Sequence, residues 1–337
     1  MAITLKEVAN LAGVSRSAVS RTFTDGASVS VKTRRKVEKA AEALGYTPNF
    51  LARSLNTGRT KLVGLVSNNF HNPIFLEVFD NFTRKLQDSD LRPLLVNLSD
   101  ETDAANSVRM LQQYSVDGVI VASSTLPPAF SKAFRDAGMP VVHSFGRYSA
   151  APDVSVVGIN NLECGRLAAR TLIDRGYREV AFLGGPPSAT STQDRFDGFR
   201  EVLAGHPEIA FTHSFASNYS FDAGRTEMQR LLVSGPHAQA YFCGDDVLSI
   251  GVLSAIQDSN LRVPEDIGVI GLNDMEMAGW ENINLTTIRQ PIKQIIASSV
   301  ELIVSMLDEE PRLPEMRLFP CELVERGTLR PLRRDYQ

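Results

Sequence analysis

Thr4-Leu5-Lys6-Glu7-Val8-Ala9-Asn10-Leu11-Ala12-Gly13-Val14-Ser15-Arg16-Ser17-Ala18-Val19-Ser20-Arg21 reads as two short helices around a glycine turn. Thr4 is placed to cap the first helix, and Glu7 three residues later completes a capping box. Leu5, Val8, Ala9 and Ala12 then recur at i, i+3, i+4 and i+7 as one apolar stripe. Gly13 supplies the turn and Ser15 caps the second helix. On that helix Ala18, Val19, Thr22 and Phe23 share one side, while Arg16, Ser17, Ser20 and Arg21 share the other. Guanidinium and hydroxyl groups on one exposed face suit phosphates and major-groove base edges, so a DNA-reading helix-turn-helix is expected. Ser30 starts a third helix, Val31 to Leu44, with Val37, Ala40, Ala41 and Leu44 facing inward and Gly45 as its stop. Lys32, Arg34, Arg35, Lys36 and Lys39 crowd its first half.

Charge is distributed unevenly. Residues 1–60 hold ten Lys and Arg against four Asp and Glu, a net of +6, in a chain of net −4, which leaves −10 for the remainder. A basic module on an acidic body is the electrostatic footprint of a nucleic-acid contact. The 337 residues, 43% of them hydrophobic, suffice for a small head and a large body of one or two domains. Apolar runs are too short for a membrane span. Met1 leads straight into the capped helix, so no signal peptide is read and a cytoplasmic location is expected. Cys164, Cys243 and Cys321 are widely spaced and odd in number, which suggests buried thiols rather than a metal site or disulfide framework. With five scattered histidines, no metal or cofactor is expected.

From Lys61 onward, short apolar runs alternate with amphipathic stretches of helical length. Strands are expected at Leu62–Val66, Leu94–Asn97, Gly118–Ala122, Val141–His143, Val180–Gly184, Ala240–Cys243, Ile267–Gly271 and Thr286–Arg289. Helices are expected at Ile74–Gln87, Leu162–Arg175, Phe196–Ala204, Ala223–Leu232, Leu248–Asp258 and Ile292–Leu307. Such βα alternation implies an α/β class with parallel sheets, and so many units suggest two lobes. Ligands in these folds lie beyond the carboxyl ends of the strands, so facing lobes would form a cleft. Between head and body, Phe50-Leu51-Ala52-Arg53-Ser54-Leu55 is either a linker or a short helix that needs a partner. In the second case Leu55 is a candidate minor-groove wedge.

These residues resemble the LacI/GalR transcriptional regulators over nearly the whole chain. The elements are Leu5-Lys6-Glu7-Val8-Ala9, Ala12-Gly13-Val14-Ser15, Val19-Ser20-Arg21, Leu44-Gly45-Tyr46-x-Pro48-Asn49, Ala52-Arg53-x-Leu55, Gly176-Tyr177-Arg178, Phe182-Leu183-Gly184-Gly185, Arg195-x-x-Gly198-Phe199 and Leu285-Thr286-Thr287-Ile288-Arg289-Gln290-Pro291. Their order and spacing together are specific, though each alone is weak. The resemblance implies a three-helix helix-turn-helix head at 1–46, a hinge helix at 47–60 and a two-lobed, periplasmic-binding-protein-like body at 61–337. One lobe would join 61–159 to about 291–319, and the other 160–288 to 322–337, with crossings near Gly158–Asn161, Arg289–Pro291 and Phe319–Glu322. It also implies a homodimer on double-stranded operator DNA, with no membrane partner. The tail at Arg326–Gln337 carries no leucine heptads, which favours a dimer over a tetramer.

By position in the family, Arg16 and Ser17 would choose bases, and Arg21 would touch base or phosphate. Thr4, Ser15 and Ser20 would hold the DNA backbone, and Asn49, Ala52 and Leu55 would act at the hinge. A small-molecule, sugar-like effector would meet Phe75, Ser123 and Arg147 from one lobe, and Ser191, Arg195, Tyr219, Asp245 and Asn273 from the other. Alone, Phe75 and Tyr219 read equally as core aromatics. Their faces also suit sugar C–H faces, and Asp245, Asn273 and Arg195 suit hydroxyls. Arg195 would equally pair with a carboxylate or phosphate. Asn273 and Asn160 stand where the family often carries Asp, which argues against a cationic ligand. A transported-solute receptor fits the body but not the basic head. Against an enzyme, no G-x-G-x-x-G follows a strand, Gly184-Gly185-Pro186-Pro187 lacks a phosphate-cradling Lys, and no G-x-S-x-G elbow occurs.

Overall fold

The computed structural model describes residues 3–24, 26–47, 58–98, 104–308 and 313–332. Two compact units separate at Thr60–Lys61. In the first, α1 (Leu5–Ala12), α2 (Arg16–Thr22) and α3 (Val31–Leu44) enclose a small core of Val8, Ala9, Ala12, Val19, Val37, Ala40 and Ala41. The capping box forms: Thr4 Oγ1 accepts from Glu7 N at 3.4 Å, and Glu7 Oε2 accepts from Thr4 N at 2.7 Å. Gly13 turns the chain at φ +64, a left-handed conformation that a side chain would strain. Ser15 caps α2 through Ala18 N at 3.2 Å, and Ser30 caps α3 through Thr33 N at 3.2 Å. Arg34 departs from the reading of a uniform basic face. Its Nη1 donates to the Thr22 carbonyl at 2.9 Å and so fastens α3 to the end of α2.

In the second unit, one six-stranded sheet contains β1 (Leu62–Ser67), β2 (Arg92–Asn97), β3 (Gly118–Ala122), β4 (Val141–Ser144), β5 (Ser155–Ile159) and β11 (Met316–Phe319), in the order β11-β5-β4-β3-β1-β2 and parallel throughout. The other contains β6 (Glu179–Gly184), β7 (Ala210–Phe215), β8 (Ala240–Cys243), β9 (Gly268–Asn273), β10 (Thr286–Arg289) and β12 (Glu322–Val324), in the order β12-β10-β9-β8-β6-β7, with only β12 antiparallel. Both faces of the first sheet are covered, as parallel strands require. Val63 and Leu65 enter one core, while Val66 enters another with Val119 and Val121. Around the first sheet run α4 (Ile74–Asp88), α5 (Ala104–Gln113), α6 (Pro128–Asp136) and α11 (Ile292–Asp308). Around the second run α7 (Asn161–Asp174), α8 (Thr190–Leu203), α9 (Phe221–Val233) and α10 (Asp246–Asp258).

In each sheet the third strand in sequence lies on the other side of the first from the second, as in β2-β1-β3 and β7-β6-β8. Loops leaving the central strand and its neighbour therefore diverge, and the gap between them is a natural ligand crevice. The chain passes between sheets after β5, after β10 and after β11. Differences from the sequence reading have local causes. Strands β5, β7, β11 and β12 were not anticipated, and helices α5 and α6 fall in gaps that the alternation leaves to helix without stated bounds. Helix α8 begins at Thr190 rather than Phe196, because Thr190, Ser191, Thr192, Asp194 and Arg195 are buried polar residues that carry no apolar stripe.

Two helix pairs are drawn together by glycine. A Cβ on Gly165 of α7 would lie 2.1 Å from the Arg195 carbonyl of α8, and one on Gly198 would lie 2.0 Å from the Leu162 carbonyl. Gly224 and Gly251 do the same for α9 and α10, at 2.5 Å from Leu248 O and 2.2 Å from Phe221 O. Since both obstacles at the α7–α8 contact are backbone atoms, Gly198→Ala must push the helices apart. We predict that it lowers unfolding stability by at least about 2 kcal/mol, whereas Gly205→Ala, whose nearest neighbour lies 3.5 Å away, is close to neutral. Urea denaturation of both variants checks this, and equal midpoints contradict it.

Candidate ligand site and candidate nucleic-acid interface

Loops at the carboxyl ends of both sheets line one small cavity of about 30 Å³, with Asn72, Phe75, Phe145 and Thr125 from the first sheet's side. Arg195, Tyr219, Asp245 and Asn273 come from the second, and Gln290 from the crossing after β10. So small a volume means that side chains fill most of this inner region. Asp245 is its centre. Its Oδ2 accepts from Asn72 Nδ2 at 3.0 Å and from Asn273 Nδ2 at 2.8 Å, while its Oδ1 caps α10 through Val247 N at 2.8 Å. Asn72 belongs to the loop after β1, so that bond spans the two sheets. Gln290 Nε2 donates to Asn273 Oδ1 at 2.6 Å and extends the network to a crossing segment.

Arg195 is 3% exposed, and its Nε donates to Asn161 Oδ1 at 2.8 Å and its Nη1 to the Gly244 carbonyl at 2.5 Å. One buried cation and one buried carboxylate thus face the same cavity. Tyr219 hydrogen-bonds Thr192 Oγ1 at 2.6 Å, and its ring lies against Gly185, where a Cβ would meet it at 2.5 Å. Tyr219, Asn69 and Thr125 also line an adjoining cleft of about 570 Å³ with Leu126, Phe130, Pro186 and Asn218. That volume lies in the range of small-molecule sites.

Five of the eight expected effector residues therefore meet: Phe75, Arg195, Tyr219, Asp245 and Asn273. Three do not line either of these cavities. Ser123 is turned into its own loop, donating to Asn68 Oδ1 at 2.8 Å and accepting from Thr125 N and Leu126 N at 3.2 Å, which leaves its neighbours Ser124 and Thr125 on the wall. Phe145 takes a left-handed φ of +63, which turns its ring to the cavity; Arg147 instead pairs with Asp194 across the lobes at 2.6 Å. Ser191 contributes its backbone, N donating to Ser124 O at 3.2 Å, and its buried Oγ has no hydrogen-bond partner. Thr190 Oγ1 reaches the same Ser124 carbonyl at 3.0 Å. Asn72 and Gln290 were missed as lining residues, although Gln290 sits in a motif already singled out by sequence.

In the head, Arg16, Ser17 and Arg21 are exposed on α2 opposite buried Val19 and Thr22. Ser20 is half-buried, and Ser15 and Ser17 hydroxyls lie 2.9 Å apart. Thr4 is exposed at the start of α1. Asn49, Ala52 and Leu55 lie outside the described residues. Among the described residues, no helix is long and apolar enough to cross a membrane.

A capped helix-turn-helix unit together with a two-sheet α/β unit, whose strand ends converge on a buried polar constellation, defines a ligand-binding regulator class. Residues 4–49 match bacterial regulatory proteins of the lacI family, and residues 169–329 match the periplasmic binding protein-like domain. The ribose operon repressor of Escherichia coli (strain K12) is 32% identical over 333 residues, covering 96% of this chain and 99% of its own. The HTH-type transcriptional repressor PurR of Vibrio atlanticus (strain LGP32) is 30% identical, covering 98% of this chain and 99% of its own. A crystal structure of the lac repressor dimer bound to operator and the anti-inducer ONPF superposes with TM-score 0.86 at 26% identity, covering 97% of this chain and 99% of that one. The transcriptional regulator CelR in complex with cellobiose gives 0.72 at 28%, with 97% and 99% covered. The chain belongs to the lacI family of bacterial regulatory proteins.

Burial pushes the Asp245 carboxyl up to about 6, against the lowering effects of the Val247 N–H, Arg195, Asn72 and Asn273. Burial likewise raises Asp246 to about 7 and lowers His143 to about 4. Between its ordinary 3.8 and about 6, Asp245 binds more proton in the folded than in the unfolded chain, so its contribution to stability is lost as pH rises through that window. Asp246 acts in the same sense up to about 7, and His143 in the opposite sense between about 4 and 6.5. Asp245→Asn removes the first contribution and, with the charge that helps to raise Asp246, part of the second. From about pH 4 to about pH 7 the wild type is therefore predicted to lose on the order of 2–3 kcal/mol relative to this variant. Urea melts at the two pH values measure the difference, and parallel pH dependences contradict it.

Proposed function

We propose that this protein is a sequence-specific DNA-binding transcriptional repressor whose operator affinity is set by a neutral, polyhydroxylated small molecule held between its lobes. The observation that carries the DNA half is α2, whose buried Val19 and Thr22 leave Arg16, Ser17 and Arg21 presented to solvent together. Arg16 and Ser17 read base edges, Arg21 contacts base or phosphate, and Thr4, Ser15 and Ser20 hold the backbone. Two copies bind as a homodimer on a near-palindromic site, with Asn49, Ala52 and Leu55 acting between the half-sites. The repressor names of the relatives and the dimeric, operator-bound lac repressor support this reading. Residues 1–46, 47–60 and 61–337 serve as head, hinge and effector-binding body, and the protein works in the cytoplasm, where operator DNA lies.

The ligand half rests on the pairing of Asp245 with Arg195 in one buried cavity. A free carboxylate or phosphate on Arg195 would be repelled by Asp245, and a cation on Asp245 by Arg195. A sugar satisfies both, because each hydroxyl donates and accepts. Its hydroxyls take the place of the Asn72 amide on Asp245, while Phe75 and Tyr219 cover its apolar faces. Ser123, Arg147 and Ser191 serve loop shape and lobe contact rather than direct binding. The reading is of binding without turnover.

Fragments of genomic DNA selected by the full chain are expected to share one near-palindromic motif. Arg16→Ala should relax the preference at one symmetric base pair, with a discrimination loss of about 1–3 kcal/mol. Enrichment with no common motif contradicts the reading. For the ligand half, a thermal-stability screen of neutral sugars, sugar acids and nucleosides is expected to register a neutral sugar. That response should vanish in Asp245→Ala, and a response confined to anionic compounds contradicts the ligand assignment.

A further inference from the structure

Cys164 and Cys321 are 157 residues apart in sequence, yet their sulfurs stand 3.4 Å from one another. Cys164 is 1% exposed in the first turn of α7, which begins directly after the first crossing between lobes. Cys321 is half-buried in the two-residue link between β11 and β12, the third crossing. The pair therefore joins two of the chain's passages between lobes. We propose that Cys164 and Cys321 are a peroxide-responsive modification site, closing to a reversible disulfide that ties the first crossing to the third.

Several features favour this chemistry. A disulfide needs the sulfurs about 2 Å apart, so closure requires an approach of little more than an ångström. The Cys164 thiol is held below its ordinary range, first by the hydrogen bond it shares with Cys321 and also by the Arg195 guanidinium, against the opposing effects of burial and of Glu163. Thiolate character of this kind is what makes a cysteine oxidisable. Access comes from the side of Cys321, which is only half covered and which hydrogen peroxide, a molecule scarcely larger than water, is small enough to pass. Cys321 is itself raised, by that hydrogen bond and by burial, so Cys164 is the sulfur that attacks peroxide and Cys321 the one that resolves. Cys243 is the remaining thiol. It is fully buried at the end of β8, and burial pushes its thiol up to about 12.

The reaction balances with one peroxide. The Cys164 thiolate attacks a peroxide oxygen, forming an S–O bond as the O–O bond breaks, and the departing hydroxide takes the proton released from the thiol to leave as water. Cys321 then attacks the sulfenic sulfur, the S–S bond forms, the S–O bond breaks, and its own proton leaves with that oxygen as a second water. Each sulfur gives up one electron and the two peroxide oxygens are reduced. A thiol reductant reverses the change.

The consequence for regulation rests on the effector reading above. Asn161, three residues before Cys164, holds Arg195 Nε at 2.8 Å, so the cross-linked turn is the one that orients a ligand-facing guanidinium. Locking that turn to the β11–β12 link restrains lobe movement and blunts the response to the small molecule.

Full-length protein exposed to hydrogen peroxide under native conditions, then denatured, alkylated and digested, tests the site without any DNA or ligand. Free thiols are expected to fall from three to one. A Cys164–Cys321 cross-linked peptide lighter by two hydrogens should appear, Cys243 should stay alkylatable, and dithiothreitol should restore all three. Cys164→Ser and Cys321→Ser should each abolish the cross-link. Thiols that remain alkylatable, or sulfinic acids on either residue in place of the cross-link, overturn the proposal. A cross-link that forms while the thermal response to the bound sugar is unchanged retains the modification site and removes its regulatory consequence.

Discussion

A carboxylate buried between two lobes is the constraint on which the arrangement turns. Asp245 is 5% exposed and accepts from one amide on each side of the interlobe boundary, Asn72 and Asn273. Burying such a charge costs several kcal/mol unless hydrogen bonds compensate, and here burial still prevails enough to raise its pKa. The closed lobes therefore retain an acceptor that a better set of donors would satisfy more fully. A polyhydroxylated ligand offers that set, and its binding free energy is then bound up with the disposition of the lobes rather than with either lobe alone.

The lobe built on the second sheet is poorly suited to deform. Glycine contacts at α7–α8 and α9–α10 bring backbones together with no slack, and Arg195 rides on one of these pairs. Movement is thereby directed to the boundary, whose polar contacts include Arg147 with Asp194, Thr190 and Ser191 with the Ser124 carbonyl, and Asn72 with Asp245. Rigid bodies meeting across a small set of exchangeable hydrogen bonds suit a two-state element that a ligand biases by differential contacts. Asp274, clamped by Arg289 and Arg326 at 2.6 Å each, keeps the strand end beside Asn273 fixed while this occurs.

How much of this was legible in sequence depended on whether the controlling interaction was local. Thr4, Glu7, Ser15, Gly13 and Gly45 act within a few residues of themselves, and the head's helices and caps follow from them directly. Central strands such as β1, β3, β8 and β9 were legible as continuous apolar runs, but β5, equally buried inside its sheet, was not. Edge strand β7, mostly exposed or half-buried, was not legible either, whereas edge strand β2 was. In the site, family position brought Phe75, Arg195, Tyr219, Asp245 and Asn273 to one place. Ser123, Arg147 and Ser191 do not line it, and at the first two a hydroxyl turned into its loop and a left-handed residue at Phe145 decide which side chain reaches the wall. The nearness of Cys164 to Cys321 had no signature at all, since it arises from two separate crossings of the chain.

The central claim is that the effector cavity and the DNA-reading head share one free-energy balance. Linkage then requires operator DNA to change effector affinity by the same factor by which effector changes operator affinity. Calorimetric titration of the small molecule into the full-length protein, with and without saturating operator duplex, measures this directly. The account predicts affinities that differ by about 5- to 150-fold, matching the shift seen in the converse DNA titration. Identical affinities in the two titrations would contradict it.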